Sequence, residues 1–426
     1  MNALNNSLLR QALTPGVHFE ETAPKRKLSF QTGVPLFIGF GQIREGVEAS
    51  KNITDSLRAF NLTSWEQFES SIRIRIPGGF LDYAVWGFFE NGGQTCEVVP
   101  LPEVPRMPGL LEKLFEEKGA LEEIEDIDLV CLPDLMAPEM KMFSAKMPHI
   151  QQQVLEYCRR MGDRFAILDA PSFCQAHEPD GPSGTVIKND PLERKLLKHQ
   201  FNFSNKGLPV EGAIYFPWIY VQPLPRHRNA VRIKVPPSGH IAGIYARSDA
   251  AFGVHKAPAN EILCGALDLE INLSDENQAE LNNYGINCLR VFPGRGIRIW
   301  GARTLSGRAD WKYVNVRRLF LTLVRWSARH LNDLVFEPNA EPLWHHVRDR
   351  MGNFCYDLYQ RGALKGLTPS EAYFVKCDAE TNPLEVRNKG QLVCEVGLAP
   401  IVPAEFLVVQ IIQSPAGTTA TMPNIK

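Results

Sequence analysis

What the sequence lacks narrows its function first. Its nine cysteines, at 96, 131, 158, 174, 264, 288, 355, 377 and 394, include no CxxC pair. An odd, scattered set indicates neither a zinc site nor a disulfide framework; it fits reduced, mostly buried thiols of a protein made in the cytoplasm. Net charge is nearly absent, at -2 over 426 residues. That argues against a dedicated nucleic-acid binder, though not against a local basic patch. Long apolar runs are missing as well. "LFLTLVRW" is interrupted by Arg325, so no bilayer crossing or membrane anchor is expected. The leader "MNALNNSLLRQALTPGVHFEE" has no signal-peptide architecture.

Catalytic signatures are equally scarce. Gly39 and Gly41 follow an apolar strand, but the third glycine of a dinucleotide fingerprint is replaced by Arg44. "GRGIRIWG" fails in the same way, and there is no GxxxxGK[ST], HExxH or GxSxG. His345 and His346 are helix neighbours that point in different directions and cannot chelate one metal. Cys174 with His177 sits in a loop-like segment where nothing orients the histidine. No catalytic residue, metal or cofactor is therefore expected, and weight moves toward assembly. An α/β enzyme using residues 25–225 remains as a remote alternative.

The chain exceeds the usual size of one core. "TPGVHFEET" is a short alternating segment with Val17 and Phe19 on one face; a lone strand of this length is stable only when it joins an existing sheet. Strand and helix signals then alternate through "TGVPLFIGFG", the helix "GGFLDYAVWGFFENGG", "IDLVCLPDLM", a helical stretch and "RFAILDAP", which suggests an α/β layer with parallel pairing. After an irregular stretch, "GAIYFPWIYVQPLP" resumes strand character. A soft boundary is placed at 225/226.

In the second half, Ser238 and Ser274 read as helix N-caps. The strands "NCLRVFPGRGIRIWGARTL" lead to two long helices. One carries Leu319, Phe320, Leu323, Val324, Leu331 and Leu334; the other, from about 341 to 361, carries a Val347, Met351, Phe354 and Leu358 stripe and stops at Gly362. "YFVKCD", "QLVCEVGLAP" and "EFLVVQIIQ" close the chain as strands.

What the sequence has in excess is local arginine. Residues 290–329 hold nine arginines and Lys312 against the single Asp310, a net of +9 in a nearly neutral chain. Arg318, Thr322, Arg325 and Arg329 share one helix face. Arginine suits bidentate pairing with carboxylates. The partner could be the chain's own acids, nucleic acid or an acidic protein surface on a neighbour; no aromatic interleaving supports nucleic acid, and the protein surface is favoured. The acidic stretch 112–128, eight Asp/Glu against Lys113 and Lys118, reads as a solvated outer face.

"PSGHIAGIYARSDAAFGVHKAPAN", "LNNYGINCLRVFPGRGIRIWGARTL", "YVNVRRLF…VFEPN" and "RGALKGLTPSEAYFVKCD" occur in one order at short separations. Together they resemble the C-terminal half of contractile tail sheath proteins of phages, R-type pyocins and extracellular contractile injection systems. "TPGVHFEE" resembles that family's N-terminal arm and "EFLVVQIIQ" its C-terminal strand. The resemblance implies an arm at 1–24, an outer α/β domain at 25–225, a sheath core domain at 226–403 with a mixed sheet and long amphipathic helices, and a strand and tail at 404–426. It further implies stacked six-membered rings around an inner tube, contraction, and baseplate and cap proteins as partners. Val17, Phe19, Phe406, Val408, Val409 and Ile411 would be exchanged with neighbouring subunits as added strands. Arg318, Arg325 and Arg329, then Arg348, Arg350 and Arg361, would face the tube or a neighbour. Such a chain would join an assembled tail or extracellular particle, either as bulk sheath or as a short specialised ring near the baseplate or cap.

Overall fold

The computed structural model describes residues 30–52, 57–74, 78–101, 109–117, 119–137, 147–172, 211–227, 229–403, 410–414 and 417–421. Contacts divide the chain into two units, Met1–Gln31 and Thr32–Lys426, and every described helix and strand belongs to the second.

Its spine is a nine-stranded sheet. Six inner strands run parallel in the spatial order Ile286–Phe292, Gly212–Phe216, Phe165–Asp169, Leu129–Cys131, Pro35–Phe40, Cys96–Leu101. Antiparallel strands extend both sides: Gly296–Trp300 beyond the first, Arg58–Leu62 and then Lys51–Asn52 beyond the last. Every residue of Pro35–Phe40, Cys96–Leu101, Phe165–Asp169 and Gly212–Phe216 is buried. Apolar runs without alternation fit this, because helices cover both faces of a mainly parallel sheet. The fold is mixed α/β, as its strand and helix alternation indicates.

Three local expectations change. "IDLVCLPDLM" yields only the strand Leu129–Cys131, and Pro133, which has no N–H to give a ladder, opens a 3-10 turn at Pro133–Met136. "GAIYFPWIYVQPLP" breaks at Pro217, and its halves Gly212–Phe216 and Ile219–Val221 enter different sheets. Ser238 is the first residue of the helix Ser238–Phe252 rather than its cap. Ser274 does cap, its side chain accepting from the Asn277 N–H. The strands Ile286–Phe292 and Gly296–Trp300 continue the same sheet as Pro35–Phe40, so the expected junction at 225/226 runs through a shared sheet.

The helices Leu81–Glu90 and Ser238–Phe252 touch backbone to backbone. A Cβ on Gly239 would lie 2.3 Å from the Ala84 Cα, and one on Gly243 would lie 2.4 Å from the Phe88 carbonyl oxygen. Only glycine permits that approach.

The C-terminal layer has its own apolar clusters. Leu323, Leu343, Trp344, Val347, Met351 and Cys377 form one; Leu319, Leu358, Ala363, Leu364 and Ala372 form another. They join the helices Val314–His330 and Glu341–Gln360 to a hairpin of Tyr373–Lys376 and Glu395–Leu398. The expected stripe holds, with Phe354 partly buried and stacked on Trp326 at 4.3 Å. Gly362 ends the second helix at a φ of +71°. Val324, expected on the apolar face, is exposed.

Candidate assembly surfaces and the arginine seam

The basic face of Val314–His330 lies against the chain's own acids. Arg318 donates from Nη1 to Asp249 Oδ1 at 2.9 Å and from Nη2 to Asp249 Oδ2 at 2.6 Å, and Nη2 also reaches Asp128 Oδ2 at 3.1 Å. Its guanidinium sits over the Tyr245 ring at 4.8 Å. Arg325 Nη1 lies 3.7 Å from Asp128 Oδ1, Arg317 bonds Glu211, and Arg329 bonds Asp126. Asp128 and Glu211 immediately precede the parallel strands Leu129–Cys131 and Gly212–Phe216. The arginine helix therefore rests across the amino ends of the main sheet.

Asp128 is the hub. It also accepts from the backbone N–H groups of Gly33 (3.0 Å) and Val34 (2.6 Å), at the start of Pro35–Phe40. Burial pushes its carboxyl up, but Arg325, Arg318 and those two N–H groups outweigh burial and hold it below the usual carboxylate value. Burial also pushes Asp249 up, against Arg318. Its two oxygens nevertheless face the guanidinium fork one to one, the geometry of an ionised pair.

Arg318 and Arg325 are each 3% exposed. Their expected place on a tube-facing or neighbour-facing surface is corrected: desolvated pairs with Asp128 and Asp249 take them out of the surface. Sequence reading missed Asp128, Asp249 and Glu211, and the acidic stretch is not uniformly solvated, because Asp128 is buried beside exposed Glu125 and Asp126. Arg329, Arg348, Arg350 and Arg361 do remain at the surface. They form exposed pairs, Arg329 with distant Asp126 and the others with nearby Asp349, Asp333 and Asp357 respectively. His345 and His346 are exposed; His345 contacts Glu341 and Arg348.

The carboxyl ends of the parallel strands, where doubly wound folds take ligands, hold two buried aspartates. Asp134, just past Leu129–Cys131, accepts from the Phe40 N–H at 2.5 Å and from the Phe80 N–H that precedes the helix Leu81–Glu90. Asp169 accepts from the Ser238 N–H at 2.8 Å and the Ser238 hydroxyl at 2.6 Å. Burial raises each to about 7. Both adjoining helix N-termini are thus already capped from within the chain.

The second surface is the C-terminal hairpin. Tyr373–Lys376 and Glu395–Leu398 pair only with each other among the described residues, so each has an outer edge without a ladder partner. A two-stranded sheet is marginal alone. Here one face packs Val375 and Val396 onto the helix Glu341–Gln360, while Phe374 stays 58% exposed on the other. An open groove of about 620 Å³ runs beside it between Arg348, Gly352, Tyr356 and Phe374. Of the residues expected in strand exchange, Val17, Phe19, Phe406, Val408 and Val409 lie outside the described residues, as do Cys174 and His177. Ile411 is paired with Ala420 in a hairpin of Gln410–Ser414 with Gly417–Thr421.

Residues 117–305 match the family model described as the phage tail sheath protein central domain, and residues 307–414 match that of the phage tail sheath C-terminal domain. The chain belongs to the contractile tail sheath family. The arginine seam thereby acquires a meaning, because it joins these two parts: Asp128, Glu211 and Asp249 belong to the central domain, and their arginines to the C-terminal one. The two family matches meet between residues 305 and 307.

Among curated relatives, a putative prophage major tail sheath protein of Pseudomonas aeruginosa (strain UCBPP-PA14) is 28% identical over 53% of this chain and 54% of its own length. The tail sheath protein of Burkholderia phage BcepMu is 29% identical over 54% of this chain and 45% of its own. The chain thus matches about half the length of these relatives. Solved structures match more fully. A chain of the anti-feeding prophage helical sheath in the contracted state is 29% identical with a TM-score of 0.69, covering 94% of this chain and 99% of that one. A chain of the sheath complex of an extracellular contractile injection system, PVC, in the contracted state is 27% identical with a TM-score of 0.67, covering 95% and 98%. A chain in the 6-fold symmetrised anti-feeding prophage baseplate structure is 29% identical with a TM-score of 0.70, covering 94% and 99%.

Proposed function

We propose that this chain is the repeating subunit of a contractile sheath, stacking in six-membered rings around an inner tube and shortening to drive the tube into a target envelope. The observation that carries this reading is full-length likeness to a sheath chain seen in the contracted state, 99% of which is covered. The open hairpin gives it a physical basis. A strand of a neighbour, from the arm around Val17 and Phe19 or from the segment Phe406–Ile411, adds to the free edges of Tyr373–Lys376 and Glu395–Leu398. Such head-to-tail contacts are heterologous and propagate into a helical cylinder. The arginine seam keeps each subunit's body rigid while the exchanged strands link it to its neighbours. The energy of contraction is stored in a trapped extended lattice that relaxes to a wider one, so no nucleotide is consumed. Arg329, Arg348, Arg350 and Arg361 supply exposed charge toward the tube or a neighbouring subunit.

Electron microscopy of the chain co-expressed with its tube protein tests this: striated cylinders around the tube are expected, and compact monomers under every condition overturn it. A second reading is favoured by the equal likeness to a chain in the baseplate structure. There the subunit forms one specialised ring, and copy number in purified particles separates the two readings.

A further inference from the structure

The hairpin has one more pair of residues in register than its ladder uses. Its partners run Tyr373↔Leu398, Phe374↔Gly397, Val375↔Val396 and Lys376↔Glu395. The next step along both strands places Cys377 opposite Cys394. Alternation puts both on the face that Val375 and Val396 use, and both pack in the same apolar cluster as Met351 and Val347. The two thiols lie close enough for each to shift the other's titration. Cys377 is 2% exposed and also receives the Asn382 Nδ2 donor at 3.8 Å, whereas Cys394 is half-buried and open to a small reagent. Directly opposed residues of an antiparallel pair have Cβ atoms about 4.5–5.5 Å apart, slightly more than the ~3.5–4.5 Å of a disulfide, so a small shift at the frayed end of the ladder suffices.

We propose that Cys377 and Cys394 form a reversible disulfide across the end of this hairpin when the chain meets a disulfide oxidant of the glutathione class. The Cys394 thiolate attacks one sulfur of the oxidised glutathione and releases a glutathione thiolate, leaving a mixed disulfide on Cys394. The Cys377 thiolate then attacks the Cys394 sulfur, forming the Cys377–Cys394 bond and releasing the second glutathione. The oxidant gains two electrons, and the two thiol protons pass to the departing thiolates. Burial, with the neighbouring Cys377 thiol, raises Cys394 to about 12. Little thiolate is therefore present near neutrality, and exchange is slow. The pair stays reduced in a reducing cell and closes gradually in an oxidising exterior. Bond formation rests on strand register and shared packing in one apolar cluster. Its consequence, a stapled acceptor for a neighbour's strand, rests on the assembly reading above.

The test incubates the full chain with oxidised glutathione, quenches free thiols by alkylation, and maps peptides by mass spectrometry. A 377–394 linked peptide, two hydrogens lighter than its parts and absent from Cys377→Ser and Cys394→Ser, is expected. The oxidised wild type should also melt at a higher temperature than the reduced protein, with no such difference in either variant. A stable glutathione adduct on Cys394, a link from either cysteine to Cys355, or unmodified thiols throughout would each overturn the proposal. Such a failure leaves the sheath reading untouched, because that reading is judged by cylinders formed under reducing conditions.

Discussion

Arg318 grips Asp249 with both arms of its guanidinium, at 2.9 and 2.6 Å, across a separation of 69 residues in sequence. That contact, with Asp128 beside it, fastens the C-terminal layer to the main sheet.

Removing one partner of a buried ion pair leaves the other charge uncompensated. Arg318→Met should therefore lower unfolding free energy by about 3–5 kcal/mol. Pairing it with Asp249→Asn should recover part of the loss, because the orphaned carboxylate is gone. A double-mutant cycle from urea unfolding measures this, and full additivity would contradict the assignment.

The two groups of buried aspartates predict opposite pH trends. Asp134 and Asp169 titrate near 7 in the folded chain but near 4 when unfolded. Between those values the folded state binds more protons, so their contribution is full at about pH 4 and is lost as pH rises through 7. Asp128 is held low, so its contribution is present above about pH 4 and is lost as pH falls through its folded value. Asp169→Asn should flatten the decline between about pH 5 and 7 by up to roughly 1.4 kcal/mol per pH unit. Denaturant titrations across that range read the slope, and an unchanged slope would place the proton elsewhere.

Gly239→Ala should cost about 1–3 kcal/mol or more, because the new Cβ meets the Ala84 backbone at 2.3 Å. Gly294→Ala is the control for a glycine with open space but a φ of +72°; it should cost less, by backbone strain alone. Thermal melts rank the two.

Charge reversal of Arg348, Arg350 and Arg361 should leave the melting temperature unchanged, since their ion pairs are exposed. Cylinder formation on the tube should fall at low salt, and the loss should shrink at high salt, where screening weakens the native attraction and the introduced repulsion alike. Unaltered assembly would remove these residues from the interface.

Much of this was legible in the sequence where the signal is local. The Val347, Met351 and Leu358 stripe, the Gly362 stop and the Ser274 cap each depend on neighbours within a turn or two. The parallel sheet was legible as apolar runs bounded by glycine and proline. The destination of the arginine face was not. Arg318 finds Asp128 at a distance of 190 residues, and no periodicity marks which acid of the 112–128 stretch turns inward. Ser238 misled because a serine after two prolines satisfies the cap pattern, while the cap is supplied by Asp169 from a distant strand. The two strands of the hairpin were legible in "YFVKCD" and "QLVCEVGLAP", but their pairing and open outer edges were not, because long-range packing decides which strands meet.

The most direct test of strand addition compares, by negative-stain electron microscopy with the tube protein present, the full chain, a chain lacking residues 1–24, and Val375→Pro in the acceptor hairpin. Cylinders are expected for the full chain, and folded but unassembled subunits for both variants. Cylinders that persist without residues 1–24 and with the altered hairpin would contradict strand addition.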